Sequence, residues 1–173
     1  MITKEYIQEA YDRVLAEVTQ ILPLNQWRHQ PTGLAFTDEK TKYGLATCDG
    51  LVFINNAFIG TTATTKLDFV LRHEFAHHAV GLSKHHNRVF RRIEERFGVD
   101  PCRDLTEDVK QIQSRINYKY TILAHLENGE IRDLGGVHRK TKRYTEYPKN
   151  SKYNMSIEGI RVHRFEFIER SLS

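Results

Sequence analysis

Cysteine is scarce in this chain: Cys48 and Cys102 are the only two, far apart and in no Cys-x-x-Cys spacing. That excludes a disulfide-stapled scaffold and a thiolate zinc cluster, so two separate, reduced thiols are expected. Long apolar runs are absent too, and nothing approaches the roughly 18 residues that a membrane span requires. The segment Met1-Ile2-Thr3-Lys4-Glu5 lacks the apolar core of a secretory signal, so a cytoplasmic location is expected. There are no repeats and no low-complexity tracts.

What is present is an ordinary globular balance, 39% hydrophobic and 28% charged. With 173 residues, one domain plus a small appendage fits, and a chain of this length buries roughly 70% of its unfolded surface. The net charge of +4 is unevenly placed. From Gln111 onward there are 12 Lys/Arg against 7 Asp/Glu, whereas residues 1–110 carry 14 against 15. The basic excess therefore belongs to the C-terminal third, which fits either a polyanion partner or simply a solvated basic surface.

Hydrophobic spacing divides the chain into elements. Ile7, Ala10, Tyr11, Val14, Leu15, Val18 and Leu22 recur at helical intervals between Thr3, a candidate N-cap, and Pro23. Leu45–Cys48 and Leu51–Ile54 flank Asp49-Gly50, a dipeptide favoured in two-residue type I′ hairpins, and Gly33–Phe36 reads as a further strand. A second helix is expected from Thr64 or Thr65 to Val80, burying Leu67, Val70, Leu71, Phe75 and Ala76 and ending at Gly81. A third is expected from Asn87 to Phe97 with Val89, Phe90, Ile93 and Phe97 inward, and a connecting helix from Glu107 to Asn117. From Tyr118 onward the alternation is β-like, with turns expected at Asn128-Gly129 and Gly135-Gly136 and a last strand through Ile160, Val162, Phe165 and Phe167.

The second helix contains His73-Glu74-Phe75-Ala76-His77. Residues four apart lie on one helical face, so His73 and His77 can ligate one ion without bending the backbone. Glu74, rotated by about 100° from His73, is near that ion but not aimed at it, which suits a base acting on metal-bound water. Zinc chemistry needs this set: neutral imidazoles and a nearby proton acceptor. Val80 and Ser83 occupy the positions where a metzincin has Gly and His, so that pattern is excluded. A third ligand must come from elsewhere. His86, at the start of the third helix, is favoured over His85; Glu94 or Glu95 would be the choice of a thermolysin-like site. His78 is expected on the surface or behind the ligands.

Through these motifs the chain resembles the SprT-like family of zinc metallopeptidases. The resemblance runs from Tyr43-Gly44-Leu45-Ala46-Thr47 through Leu51-Val52-Phe53-Ile54-Asn55 and the His-Glu-x-x-His helix to His86–Phe90. It implies zinc held by His73, His77 and His86 with Glu74 as general base, and peptide-bond hydrolysis on proteins associated with DNA. The implied fold class is α+β: a zincin-like core with an N-terminal helix, a small antiparallel sheet and the metal helix packed on a following helix. A SprT-like domain is expected over 1–110 and a basic β-rich appendage over 111–173. Asn87 stands where the family has Gly, and a left-handed turn is expected there. Many relatives end in a zinc ribbon, but no Cys follows Cys102, and His125 and His138 are expected to be ordinary polar residues. In this appendage Arg139, Lys140, Lys142 and Arg143 would contact phosphates, and Tyr144 and Tyr147 would stack on bases or pack in a core. A monomer acting on protein, with DNA as a partner and no membrane, is the expectation. The alternative is a nucleic-acid-binding module with a structural or vestigial zinc; Glu74 argues against it, since a structural site needs no base.

Overall fold

The structure, a computed structural model, describes residues 1–148 and 154–170. Among them the chain is α+β, with five helices and two small sheets. It divides into two compact units, 1–115 and 116–173. A division at 110/111 would cut through a helix, α4 (Thr106–Ser114), which belongs whole to the first unit.

In the first unit, helix α1 (Lys4–Ile21) is capped by Thr3, whose hydroxyl accepts the Tyr6 N–H at 3.1 Å. It buries Ile7, Ala10, Tyr11, Val14 and Val18, the stripe that the spacing predicts. The sheet has the order β1 (Gly33–Thr37), β3 (Leu51–Asn55), β2 (Gly44–Ala46). It is mixed rather than antiparallel, because β1 pairs with β3 in parallel register, Gly33 opposite Leu51. The β2–β3 turn also differs from the type I′ expectation. Gly50 alone has positive φ (92°), its N–H donates to Thr47 O, and Thr47 N–H donates to Leu51 O. That is a three-residue loop with glycine at the left-handed position, which spares Asp49 a positive φ. A Cβ on Gly50 would come within 2.0 Å of the Gln30 carbonyl oxygen.

Helix α2 (Thr64–Val80) lies between this sheet and helices α1 and α3 (Arg88–Arg96). Leu67, Val70, Leu71, Phe75 and Ala76 are buried as the periodicity predicts. Phe75 meets Tyr11 and Trp27, and Trp27 meets Phe97 (centroids 5.2, 6.0 and 5.8 Å), so one aromatic cluster joins α1, α2 and the end of α3. Gly81 ends α2 with φ 93°, and the N–H groups of Arg28 and His29 satisfy the last-turn carbonyls of Ala79 and His78. Lacking a side-chain cap of its own, the start of α2 receives one from α4: Asp108 accepts the Lys66 N–H at 2.9 Å.

Two sequence expectations about α3 are corrected. Val89 is 55% exposed, so α3 packs inward through Phe90, not Val89. Asn87 is extended (φ −74°, ψ −178°), and its side-chain oxygen caps the helix by accepting the N–H groups of Val89 and Phe90. The positive φ falls two residues earlier, on His85 (46°).

The second unit is a four-stranded antiparallel sheet, ordered β5 (Ile131–Val137), β4 (Tyr120–Leu126), β7 (Ile160–Glu169), β6 (Ser156–Ile157), with a short helix, α5 (Lys142–Thr145). Asn128-Gly129 forms the predicted turn, with Gly129 N–H donating to Leu126 O. Gly135-Gly136 does not turn. It lies within β5, where the register with β4 shifts and the Tyr118 ring packs so closely over Gly136 that a Cβ would fall 2.0 Å from it. Ala124, Leu126 and Val162 form a small core with Tyr147, Met155, Ile157, Ile160 and Phe165 against it.

Candidate metal centre

Three imidazoles converge in the first unit. One ligand nitrogen from each of His73, His77 and His86 lies within 4.8 Å of the others, and His73 Nε2 and His86 Nε2 are 3.2 Å apart. Donors at zinc–nitrogen distances of about 2.05 Å in a tetrahedron stand roughly 3.3 Å from one another, so the observed edge fits such an ion. The site depends on two elements: α2 supplies His73 and His77 one turn apart, and the loop before the Asn87 cap supplies His86. Phe90, fully buried, is the floor on which all three rings rest, with centroids 5.0, 4.3 and 5.0 Å from His73, His77 and His86.

Protonation also suits a metal. Glu94, a candidate third ligand by sequence, instead bonds His73 Nδ1 at 2.6 Å. A carboxylate there accepts the Nδ1 proton and leaves the Nε2 lone pair facing His86. Burial raises the Glu94 carboxyl, but the His73 bond and the neighbouring imidazoles more than reverse this and hold it below its ordinary value. His77 is pushed down to about 4, by burial first and then by His73 and His86, so it is neutral at pH 7 as a ligand must be. Its Nδ1 is buried without a hydrogen-bond partner. Among the described residues, then, His73, His77 and His86 form a group able to hold a metal ion. His85 is exposed and outside it, as is Glu95.

Glu74 is only 5% exposed and is packed against β2, where a Cβ on Gly44 would meet its Oε1 at 2.8 Å. Burial pushes its carboxyl up to about 7, against the opposing influence of His73 and of the Ala46 backbone amide. The carboxyl thus stands next to the imidazole group in a cleft of ≈ 780 Å³ whose walls include β2, α2, His85, His86 and the 99–105 segment.

Two further residues carry weight that their sequence context does not reveal. His78 is fully buried, not on the surface; its Nε2 bonds Thr47 O at 3.1 Å and ties α2 to the end of β2. Asn55, 3% exposed, holds the segment before β2: its amide nitrogen donates to the carbonyls of Glu39 and Lys42 at 2.5 and 2.8 Å, and its oxygen accepts Ala57 N–H at 2.9 Å. A strand-ending Asn is visible in the sequence, but its partners are tertiary.

In the second unit Arg139, Lys140, Lys142 and Arg143 are all exposed. Lys140 stands over the Tyr120 and Phe167 rings at 5.0 and 5.9 Å, and Arg143 over Tyr144 at 5.6 Å. Tyr147 is committed to the core, donating to Val162 O at 2.8 Å, and Tyr144 packs edge-on against Phe165 at 4.7 Å. His125 pairs with Glu166 at 2.6 Å, and His138 lies against Tyr118. Cys48 and Cys102 are free and exposed, and no helix among the described residues is long and apolar enough to cross a membrane.

No family model, no curated protein and no solved structure matches the chain.

Proposed function

We propose that the protein is a zinc-dependent metallopeptidase of the SprT-like type, with a zincin-like core, acting on proteins associated with DNA. The observation that carries this reading is the convergence of three imidazoles beside a buried carboxylate in an open cleft. Zinc, when bound, supplies Lewis acidity that lowers the pKa of a coordinated water toward about 7. His73, His77 and His86 hold the ion, and Glu94 fixes the tautomer of His73. Glu74, buried beside the imidazole group, is placed to take a proton and return it to the leaving amine. As the edge strand of its sheet, β2 offers unpaired backbone groups to an extended substrate.

The SprT-like assignment is supported by where the resembling segments fall: the edge strand, the central strand, the metal helix and the cap of the next helix. The DNA connection is supported by the basic excess of the C-terminal third and by its four exposed cations. A structural zinc has no use for a buried carboxylate facing an open cleft, which favours an enzyme over a binding module.

The test is cleavage of a DNA-bound basic protein, with and without DNA, by the zinc-loaded chain and by its Glu74→Gln variant. Glu74→Gln is expected to keep equimolar zinc and lose cleavage; undiminished cleavage overturns the mechanism. His86→Ala is expected to lose the metal, and full zinc retention there overturns the ligand set.

A further inference from the structure

The cleft has a charged end that the metal chemistry does not use. Lys66 lies on α2 seven residues before His73, on the same helical face and about 11 Å from it along the axis. Its stem is half-buried and its ammonium stands 5.4 Å over the Tyr43 ring, at the start of the β2 wall. Lys42 and Arg103 line the same cleft from two other segments. None of the three forms an ion pair among the described residues.

The acids of the cleft are each engaged: Glu94 by His73, Asp100 by the Cys102 N–H at 2.9 Å, and Glu74 by its burial beside the imidazoles. The three cations equal these acids in number, but none of them is within ion-pair distance of one, so all three stand unpaired where a bound strand would pass. Burial lowers the Lys66 pKa more than Asp108, whose carboxylate caps the Lys66 N–H, and Glu94 raise it, so the ammonium is held partly out of water with no carboxylate in ion-pair contact. An incoming carboxylate would supply that contact.

Resting on the peptidase reading, we propose that Lys42, Lys66 and Arg103 form a carboxylate subsite that selects the substrate. It favours chains carrying an acidic group about three residues from the bond that is cut, at ~3.3 Å per extended residue. The acidic group lies on the side of that bond facing the N-terminal end of α2. It is an Asp or Glu side chain or the carboxylate of a chain terminus.

Binding, not turnover, provides the test. Fluorescent peptides with Glu, Gln or Lys at successive positions, each with a free or an amidated C-terminus, are titrated onto the zinc-loaded full chain carrying Glu74→Gln. Glu peptides are expected to bind roughly tenfold tighter than their Gln isosteres at one register, with the gap narrowing as salt rises. If the free terminus rather than the side chain carries the preference, the gap follows amidation instead. Adding Lys66→Met, which keeps the stem over Tyr43, or Arg103→Gln is expected to reduce the gap severalfold without loss of zinc. Equal binding of Glu and Gln peptides at every register, or no binding of any peptide, overturns the subsite. A clear carboxylate preference in a chain that, with Glu74 intact, cleaves no peptide would sink the peptidase reading instead and leave the subsite standing.

Discussion

At neutral pH the Glu74 carboxyl is midway through its titration, because burial has raised it to about 7, while burial of His77 in the same wall has lowered that imidazole to about 4. The two shifts have opposite consequences for stability. Glu74 binds its proton more tightly folded than unfolded, so its contribution is complete below about 4.5 and is lost as pH rises through 7. His77 favours the neutral ring when folded, so its contribution is complete above about 6.5 and is lost as pH falls through 4. Over the shared window the two nearly cancel, and a variant is needed to separate them. In the metal-stripped chain Glu74→Gln is expected to be neutral near pH 4.5 and stabilising by about 3 kcal/mol at pH 8, the worth of a shift of some 2.5 pH units. Urea unfolding at the two pH values measures this, and the same difference at both would show that Glu74 titrates normally. The neighbouring bond from His73 to Glu94 makes a separate prediction. Glu94→Gln should weaken zinc binding roughly 10- to 100-fold, read by competition with a chromophoric chelator, while leaving the three ligands in place.

The elements that carry these residues are legible in the sequence to different degrees, for physical reasons. Helix α2 can be placed almost to the residue, because its apolar stripe has helical period and Gly81 stops it. His73, His77 and Glu74 come with it. The route of β1 is not legible: a short strand shows no partner, and its parallel pairing with β3 is set by the packing of the sheet. Gly135-Gly136 looks like a turn because glycine pairs usually are, but here the Tyr118 ring needs the space that a side chain would fill. At the site, His86 is a candidate by its position and Glu94 only as a competing ligand. What decides between those roles is the crossing of α3 over α2 on Phe90, which no local pattern records.

Two substitutions test that packing. In Gly44→Ala the new Cβ would meet Val70 Cγ1 at 2.6 Å as well as the Glu74 carboxylate, so either these side chains or β2 must shift. A loss of about 1–3 kcal/mol in unfolding free energy is expected, with a larger proportional loss of activity than of zinc. In Asn87→Ala the cap of α3 is lost, costing about 1 kcal/mol, and equilibrium dialysis should show weaker zinc binding because the neighbouring His86 is no longer held. If zinc affinity were untouched, His86 would be positioned by something other than the cap.

For the molecule as a whole, the basic charge is unevenly divided. The unit that holds the imidazole group belongs to the stretch with no basic excess, and the cations gather after Gln111. The second unit buries few side chains completely, Ile122, Ala124, Leu126 and Val162 among them, and leaves many in water. Arg139, Lys140, Lys142 and Arg143 stand there without carboxylate partners among the described residues, so polyanion binding would break no ion pair. If they meet DNA phosphates, each releases counter-ions, and changing all four to Gln in the full chain should flatten the slope of log affinity against log salt. The expected change is about 0.9 for each phosphate on duplex DNA that the variant no longer neutralises. Binding should weaken alike on unrelated sequences, because phosphate contacts carry no base information. A slope unchanged by the fourfold variant would remove the basic cluster from any DNA contact while leaving the metal centre and its cleft, which depend on none of these residues, where they are.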